Sequence, residues 1–286
     1  MRTTQWQRYV TAGALLLSTL VVQAEVAPDT WNRVKAEGVV RIGLQDKAAP
    51  FAYLDAQGKP AGFTWEICRA VVQTLAAELK RPIEIKATPV TLASSIEMLQ
   101  DGRIDMQCGS TTHTLDRAQK VDFSNSFFVA GVVVSYRKED LRYTNPTQFG
   151  RVGVVANSTA ASAMGKRAAA KSGASIDAVV PVASYDEGML RLKKKEIDTF
   201  VADGIFVPAD PEIARRPAME TIEPYALVLR KGDRAFAAQV DRALARVLGS
   251  PAIRQMAANA KLDDRINTLT MEVWRRPSRD PAPQMY

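Results

Sequence analysis

Residues Asp101–Ser124 read DGRIDMQCGSTTHTLDRAQKVDFS. Asp101-Gly102 signals a turn, Ile104–Cys108 is a short apolar run suited to a buried strand, and Ser110 and Thr112 follow at once. Arg117 comes five residues after Thr112, and a second β-rich run follows. Hydroxyls and unpaired N–H groups at the start of a helix, with an arginine one or two turns on, can converge on an anion. The guanidinium fork suits a carboxylate, which it can pair bidentately. An ordinary helix cap with Arg117 solvated is the competing reading.

Working outward, strand and helix signals alternate. Val39–Leu44 reads as a buried strand, Phe63–Leu79 as a helix with Phe63, Ile67, Ala70, Val71, Leu75 and Leu79 on one face, Pro82–Ala87 as a strand and Leu92–Leu99 as a helix. With Ile104–Cys108 this gives β-α-β-α-β, an order that implies parallel strands covered by helices, an α/β fold. Phe127–Tyr136 (FFVAGVVVSY) is long enough to leave one lobe for another. The alternation then restarts: Val152–Ala156, helix Ser158–Lys171, Ala178–Val182, helix Tyr185–Lys195, Ile197–Ala202. Tyr225–Arg230 (YALVLR) is a second crossover candidate, followed by helices at Phe236–Leu248 and Pro251–Ala260 and an irregular tail, Trp274–Tyr286. Ligands of such sheets sit beyond the carboxyl ends of the strands. Here those ends are Leu44–Tyr53, Cys108–Thr112, Ala156–Thr159 and Ala202–Ile205, facing one shared cleft.

The first residues give the compartment. Arg2 and Arg8 precede the apolar run Ala12–Val22 and a small-residue cleavage site near Ala24, the pattern of a secretory signal peptide. The expected mature chain is an exported, periplasmic protein. The composition, 47% hydrophobic and 24% charged, is that of an ordinary globular protein. The net charge of +7 includes two arginines of the leader, and the short basic groups Lys193–Lys195 and Arg275-Arg276 lack interleaved aromatics, so a nucleic-acid partner is not expected. His113 has no partners at metal spacing, and no nucleophile elbow, phosphate loop or dinucleotide fingerprint is present; no metal and no cofactor are expected. Cys68 and Cys108 are open to two readings, a disulfide or two separate buried thiols.

Several ordered motifs carry a resemblance: GVVRIGLQDKAAPFAY, GKPAGFTWEICRAV, LQDGRIDMQCGSTTHTLDRAQKVDFS, GRVGVVANSTAAS, KKEIDTFVADG and EPYALVLRKGD. From about Gly38 to Met256 the chain resembles the periplasmic solute-binding proteins of polar amino-acid ABC transporters, solute-binding family 3, and within them the glutamate/aspartate-binding branch. The resemblance implies a two-lobed, type II periplasmic-binding-protein (Venus-flytrap) fold with two crossover strands. One lobe would comprise residues 25–133 and 227–286, the other 134–226. It implies a monomer that captures an amino-acid zwitterion and delivers it to an inner-membrane ABC permease. Position by position, Arg117 would pair with the ligand α-carboxylate, helped by Ser110 and Thr112 and, from the second lobe, by Ser158 and Thr159. Asp203 would hold the ammonium, and Phe51 would form an aromatic wall. Glu66 faces the lobe surface and is left out.

Departures from that branch concern the substrate. Gln45 and Ser95 stand where the branch has arginines, and Tyr185 where it has a histidine; with Leu92 these would choose among ligands. A buried carboxylate without partners loses several kcal/mol, so glutamate and aspartate are expected to be poor ligands. Lys47 is the one local cation that could rescue an acidic side chain. Two alternatives share the scaffold: an enzyme resembling cyclohexadienyl dehydratase, with Asp46 or Glu187 as its acid, and a sensory binding subunit.

Overall fold

The computed structural model describes residues 29–170 and 173–283. The segment read as a signal peptide lies outside them. Helix α1 (Thr30–Glu37) leads to β1 (Val39–Gln45). A small antiparallel sheet of β2 (Lys47–Ala48), β3 (Ala52–Leu54) and β4 (Pro60–Ala61) then leads to α2 (Phe63–Leu79). Next come β5 (Glu84–Val90), α3 (Leu92–Gln100), β6 (Met106–Cys108), the single turn α4 (Leu115–Ala118) and the long β7 (Val121–Arg137). The second half holds β8 (Gln148–Val155), α5 (Thr159–Ala169), β9 (Ser175–Val182), α6 (Tyr185–Lys193), β10 (Thr199–Asp203) and β11 (Ile213–Arg215). The chain returns through β12 (Thr221–Arg230) to α7 (Arg234–Leu248), α8 (Ala252–Asn259) and α9 (Thr268–Arg275).

The main sheet runs β5-β1-β6-β12-β7-β10-β8-β9, with β11 on β7. β1 is parallel to β5 and β6, and β8 is parallel to β9 and β10, as the two β-α-β-α-β runs require. β7 and β12 are antiparallel and lie between the two parallel sets. β7 changes partner along its length. Val121–Val132 pair with β12, and Val132–Tyr136 pair with β10. This is a two-lobed α/β fold whose crossovers belong to one ladder.

Local chemistry explains the elements. α2 buries Phe63, Ile67, Cys68, Val71 and Leu75 at helical spacing, and each large apolar side chain so buried stabilises by about 1.5–3 kcal/mol. Gly62 starts it at φ 110°, where a Cβ would lie 2.4 Å from the Phe51 carbonyl oxygen. The same internal device occurs in both lobes. Asp105, ahead of β6, accepts from the Arg41 N–H of β1 at 2.7 Å; Asp198, ahead of β10, accepts from the Arg151 N–H of β8 at 2.9 Å. Each Asp follows an isoleucine that fits against a glycine: a Cβ on Gly43 would lie 2.6 Å from Ile104, and one on Gly153 would lie 2.3 Å from Ile197.

Three expectations need correction, and one open question is decided. The helix expected after Ser110 and Thr112 is only four residues long, and its cap is Thr114, which accepts from the Arg117 N–H at 3.2 Å. The second β-rich run at the end of Asp101–Ser124 and the run from Phe127 are one strand, Val121–Arg137: Asp122 and Ser126 pair with Leu229 and Ala226, and in the irregular stretch between them Ser124 Oγ accepts from the Leu227 N–H and the Asn125 N–H donates to Asp241. The tail expected to be irregular from Trp274 is helical as far as Arg275. Cys68 and Cys108 form a disulfide joining α2 to the end of β6, which decides between the two readings of these cysteines. Among the described residues, no helix is long and apolar enough to cross a membrane and no cluster of His, Cys, Asp and Glu could hold a metal ion.

Candidate functional site

Asp203 ends β10, paired with Val132 of β7; Val132 in turn pairs with Thr221 of β12, two residues before Glu223. The strand order therefore sets two carboxylates near each other across β7. Tyr225 lies on the same strand as Glu223, and its hydroxyl donates to Asp203 Oδ2 at 2.8 Å. Asp203 Oδ1 and Glu223 Oε2 are buried without a hydrogen-bond partner, and Thr221 Oγ1 donates to the other Glu223 oxygen. Burial, then the Glu223 charge, push the Asp203 carboxyl up to about 7, against the Tyr225 hydrogen bond and the Arg117 charge.

Arg117 faces this pair from the other lobe. Burial lowers its pKa, while Glu223 and then Asp203 act in the opposite sense. One guanidinium N–H is fixed on the Thr112 carbonyl at 2.9 Å. The segment before it is itself pinned to β12: Thr112 bridges to Tyr225, and the His113 N–H donates to the Pro224 carbonyl at 2.8 Å. From the second lobe, Ser158 caps α5 by accepting from the Ala161 N–H at 3.1 Å, and the start of this helix lines the same cleft as Arg117.

Arg117, Ser158, Thr159 and Glu223 line a cleft of about 360 Å³, whose rim carries the Lys166–Asp116 pair at 3.8 Å. Ser158 and Thr159 also line an inner recess with Tyr185 and Asp203, too narrow to admit a water molecule. The structure thus brings together Arg117, Ser158, Thr159, Tyr185 and Asp203.

The other expected residues sit behind or beside these cavities. Gln45 Oε1 accepts from the Ser110 N–H at 3.0 Å and covers Gly109, so Gln45 and Ser110 hold each other at the ends of β1 and β6. Ser95 is fully buried, with its hydroxyl donated to the Leu92 carbonyl at 2.7 Å; Leu92 is half-buried. Phe51 is fully buried in an aromatic cluster with Phe63, Phe128 and Tyr225.

Two residues were not anticipated. Phe206 reaches from the loop after β10 to stack on Tyr185 (4.7 Å between ring centroids) and to meet Phe51 edge-on at 5.6 Å, so aromatic packing crosses between the lobes. Its place three residues after the Asp203 of VADGIF was the available signal. Glu223, 2% exposed, lies in EPYALVLR, where it reads as the polar start of a strand. Only the pairing across β7 reveals its neighbours.

This combination of a two-lobed α/β fold and a cleft flanked by opposite charges defines a ligand-binding protein of the clamp type. The family "Bacterial extracellular solute-binding proteins, family 3" matches residues 40–259, and the chain belongs to it. The L-glutamate/L-aspartate-binding protein of Pseudomonas aeruginosa is 27% identical over 254 residues, covering 85% of this chain and 83% of that one. The glutamate/aspartate import solute-binding protein of Escherichia coli is 24% identical, covering 82% and 81%. Among solved structures, a substrate-binding protein of an ABC uptake transporter from Streptococcus pneumoniae with bound histidine has a TM-score of 0.70 at 18% identity, covering 84% of this chain and 99% of that one. A mutant of the arginine-binding protein of T. maritima has a TM-score of 0.64 at 23% identity, covering 80% and 98%.

Proposed function

We propose that this chain binds a free amino acid as a zwitterion between its lobes, outside the cytoplasm, and presents it to an ABC-type membrane permease. The observation that carries this reading is the facing of Arg117, from one lobe, and Asp203, from the other, with a buried Asp203 oxygen that lacks a donor. The ligand carboxylate would take the free edge of the Arg117 guanidinium and the N–H groups at Thr159 and the start of α5. The ligand ammonium would take Asp203 Oδ1, with Glu223 adding negative potential. In a cleft closed to water each of these charge pairs is strengthened. The relatives named as amino-acid-binding proteins support the same reading. The lobe division we adopt is 25–133 with 227–286, and 134–226, which fits the change of partner at Val132.

The ligand's own side chain is neutral or basic in this reading. Gln45, Ser95 and Tyr185 bring no positive charge, the first two spend their polar groups on Ser110 and Leu92, and Lys47 is exposed. Burial followed by the charges of Asp203 and Glu223 raises the Tyr185 hydroxyl well above the ordinary tyrosine range, so it stays neutral. The enzyme alternative finds no support at Glu187. Its Oε2 accepts from the Ala183 N–H at 2.8 Å and its Oε1 pairs with Arg191 at 2.9 Å, which makes it a helix cap.

A thermal-shift screen against the common amino acids tests the reading. A ligand at a hundredfold excess over its Kd should add about 2.7 kcal/mol of stability. If no amino acid moves the transition, the proposal fails; if glutamate and aspartate move it most, the substrate reading fails and the fold reading stands.

A further inference from the structure

The C-terminal segment beyond the residues matched by the family follows a fixed path back to the cleft. Asn267 Nδ2 donates to the Val129 carbonyl at 2.8 Å, and the Val129 N–H donates to Thr270 Oγ1 at 3.0 Å. Trp274 Nε1 donates to the Phe127 carbonyl at 2.8 Å, and the Ser126 N–H donates to the Ser278 carbonyl at 2.8 Å. Residues 267 and 270 thus hold Val129, 274 holds Phe127 and 278 holds Ser126, so the segment follows β7 from the crossover toward the strand's start. Arg279 then pairs with Asp241 of α7, and the Ala282 N–H donates to the His113 carbonyl at 2.7 Å. His113 adjoins Thr112, whose carbonyl holds Arg117. Ala282 and Pro283 consequently stand in the wall of the same cleft as Arg117, Ser158, Thr159 and Glu223.

We infer that Ser278–Pro283 is a third contributor to the ligand cleft, a wall beside Arg117 that keeps solvent from the bound carboxylate and slows ligand escape. The inference rests on the zwitterion reading of the site. Three features set this segment apart from a loose tail. Its backbone is bonded at Ser278 and at Ala282, its side chain at Arg279 is ion-paired, and both prolines around Ala282 limit the conformations it loses on docking. A wall of apolar side chains next to a charge pair lowers the local dielectric and strengthens that pair.

The test compares the full chain with three variants, using the amino acid that gives the largest thermal shift as the probe. A chain ended after Asp280 should bind about tenfold more weakly, mostly through faster dissociation, while its ligand-free Tm stays close to that of the full chain. Ala282→Pro, which removes the N–H donated to His113 and adds a ring that fixes φ there, should move Kd the same way by a smaller factor. Ala282→Trp, which projects a ring into the cleft, should weaken binding at least as much as truncation does. Kd comes from calorimetry and the dissociation rate from stopped-flow fluorescence. Unchanged Kd and dissociation rate in both the truncated chain and Ala282→Trp overturn the inference, and if the truncated chain does not fold, Ala282→Trp alone decides. If the full chain itself binds no amino acid, the zwitterion reading fails; if it binds and the variants match it, only the wall fails.

Discussion

The two β-α-β-α-β units of this molecule share a frame and differ in what they carry at its edge. In the first, Arg41 and Gly43 of β1 meet Asp105 and Ile104; in the second, Arg151 and Gly153 of β8 meet Asp198 and Ile197. Each aspartate ties the strand it precedes to the backbone of the unit's first strand, and each glycine admits the isoleucine. Beyond the third strand the units diverge. The first continues into a hydroxyl-rich segment and Arg117, and it is stapled by Cys68–Cys108; the second stops at Asp203 and has no cysteine. The frame fixes where strand ends meet, and the residues just past the ends give one lobe a cation and the other an anion. Shape is thus shared while charge is divided, which suits a clamp for a ligand that is itself dipolar.

The largest expected effect breaks the divided charge. Arg117→Ala and Asp203→Ala should each weaken amino-acid binding by about 3–5 kcal/mol, since each leaves a ligand charge buried without its partner. Calorimetry that finds near-normal binding in both variants sinks the assignment of these roles. Next come the shared ties. Asp105→Ala should destabilise the ligand-free protein by about 3 kcal/mol, because the Asp105 side chain is fully buried and pairs with Arg33 at 2.5 Å, leaving Arg33 only its Glu37 pair. Asp198→Ala should cost less, about 2 kcal/mol, since its partner Arg151 is 43% exposed and the buried Arg137, 3.7 Å from the same carboxylate, keeps Asp140 and the Leu192 and Ile197 carbonyls. Urea unfolding that ranks the two in the opposite order breaks the comparison of the frames.

The glycines give a smaller and more symmetric test. Gly43→Ala and Gly153→Ala should each destabilise by about 1–3 kcal/mol through overpacking. Ile104→Val should recover part of the first loss and Ile197→Val part of the second. Absence of rescue in both lobes means the fit against isoleucine is not what the glycines provide.

The smallest effect is graded with pH. Asp203 has a raised pKa of about 7 in the ligand-free protein, well above an ordinary aspartate near 3.9, so below pH 7 it carries a proton that the ligand ammonium must displace. Affinity should therefore fall by up to about tenfold, or 1.4 kcal/mol, per pH unit below 7. The ligand-free stability runs the other way. The contribution of this group is fully present below about pH 4 and is lost as pH rises through 7. Glu223→Gln removes a neighbouring negative charge, so it should move the affinity profile to lower pH; a profile that stays in place shows that the two carboxylates do not act on each other.

How much of this was legible beforehand follows from the range of the interactions involved. The helix Phe63–Leu79 is legible at both ends because its apolar spacing is local. Both crossovers were visible as β-rich runs, and Arg117, Ser158, Thr159 and Asp203 as members of ordered motifs. The continuity of β7 is hidden because the polar Ser124 and Ser126 are buried within it, Ser124 to accept from the Leu227 N–H, which an apolar count does not register. Glu223 was hidden for a related reason: its significance comes from a strand two places away in the sheet. The disulfide was undecidable because 40 residues separate the cysteines, and only the packing of α2 on the sheet sets their approach. Gln45 and Ser95 were assigned to the ligand by position, whereas their polar atoms are turned toward Ser110 and Leu92.

β7 has a mechanical meaning of its own. At 17 residues it is a rod of roughly 55 Å, and both lobes hang from it by backbone hydrogen bonds. Any turn of one lobe against the other would have to twist this common ladder. The ladder already slips register between Tyr225 and Val228 of β12, beside the Phe128–Phe123 stretch of β7. That slip lies next to the tyrosine that touches Asp203, so the irregular stretch of the ladder and the candidate site are neighbours on one strand.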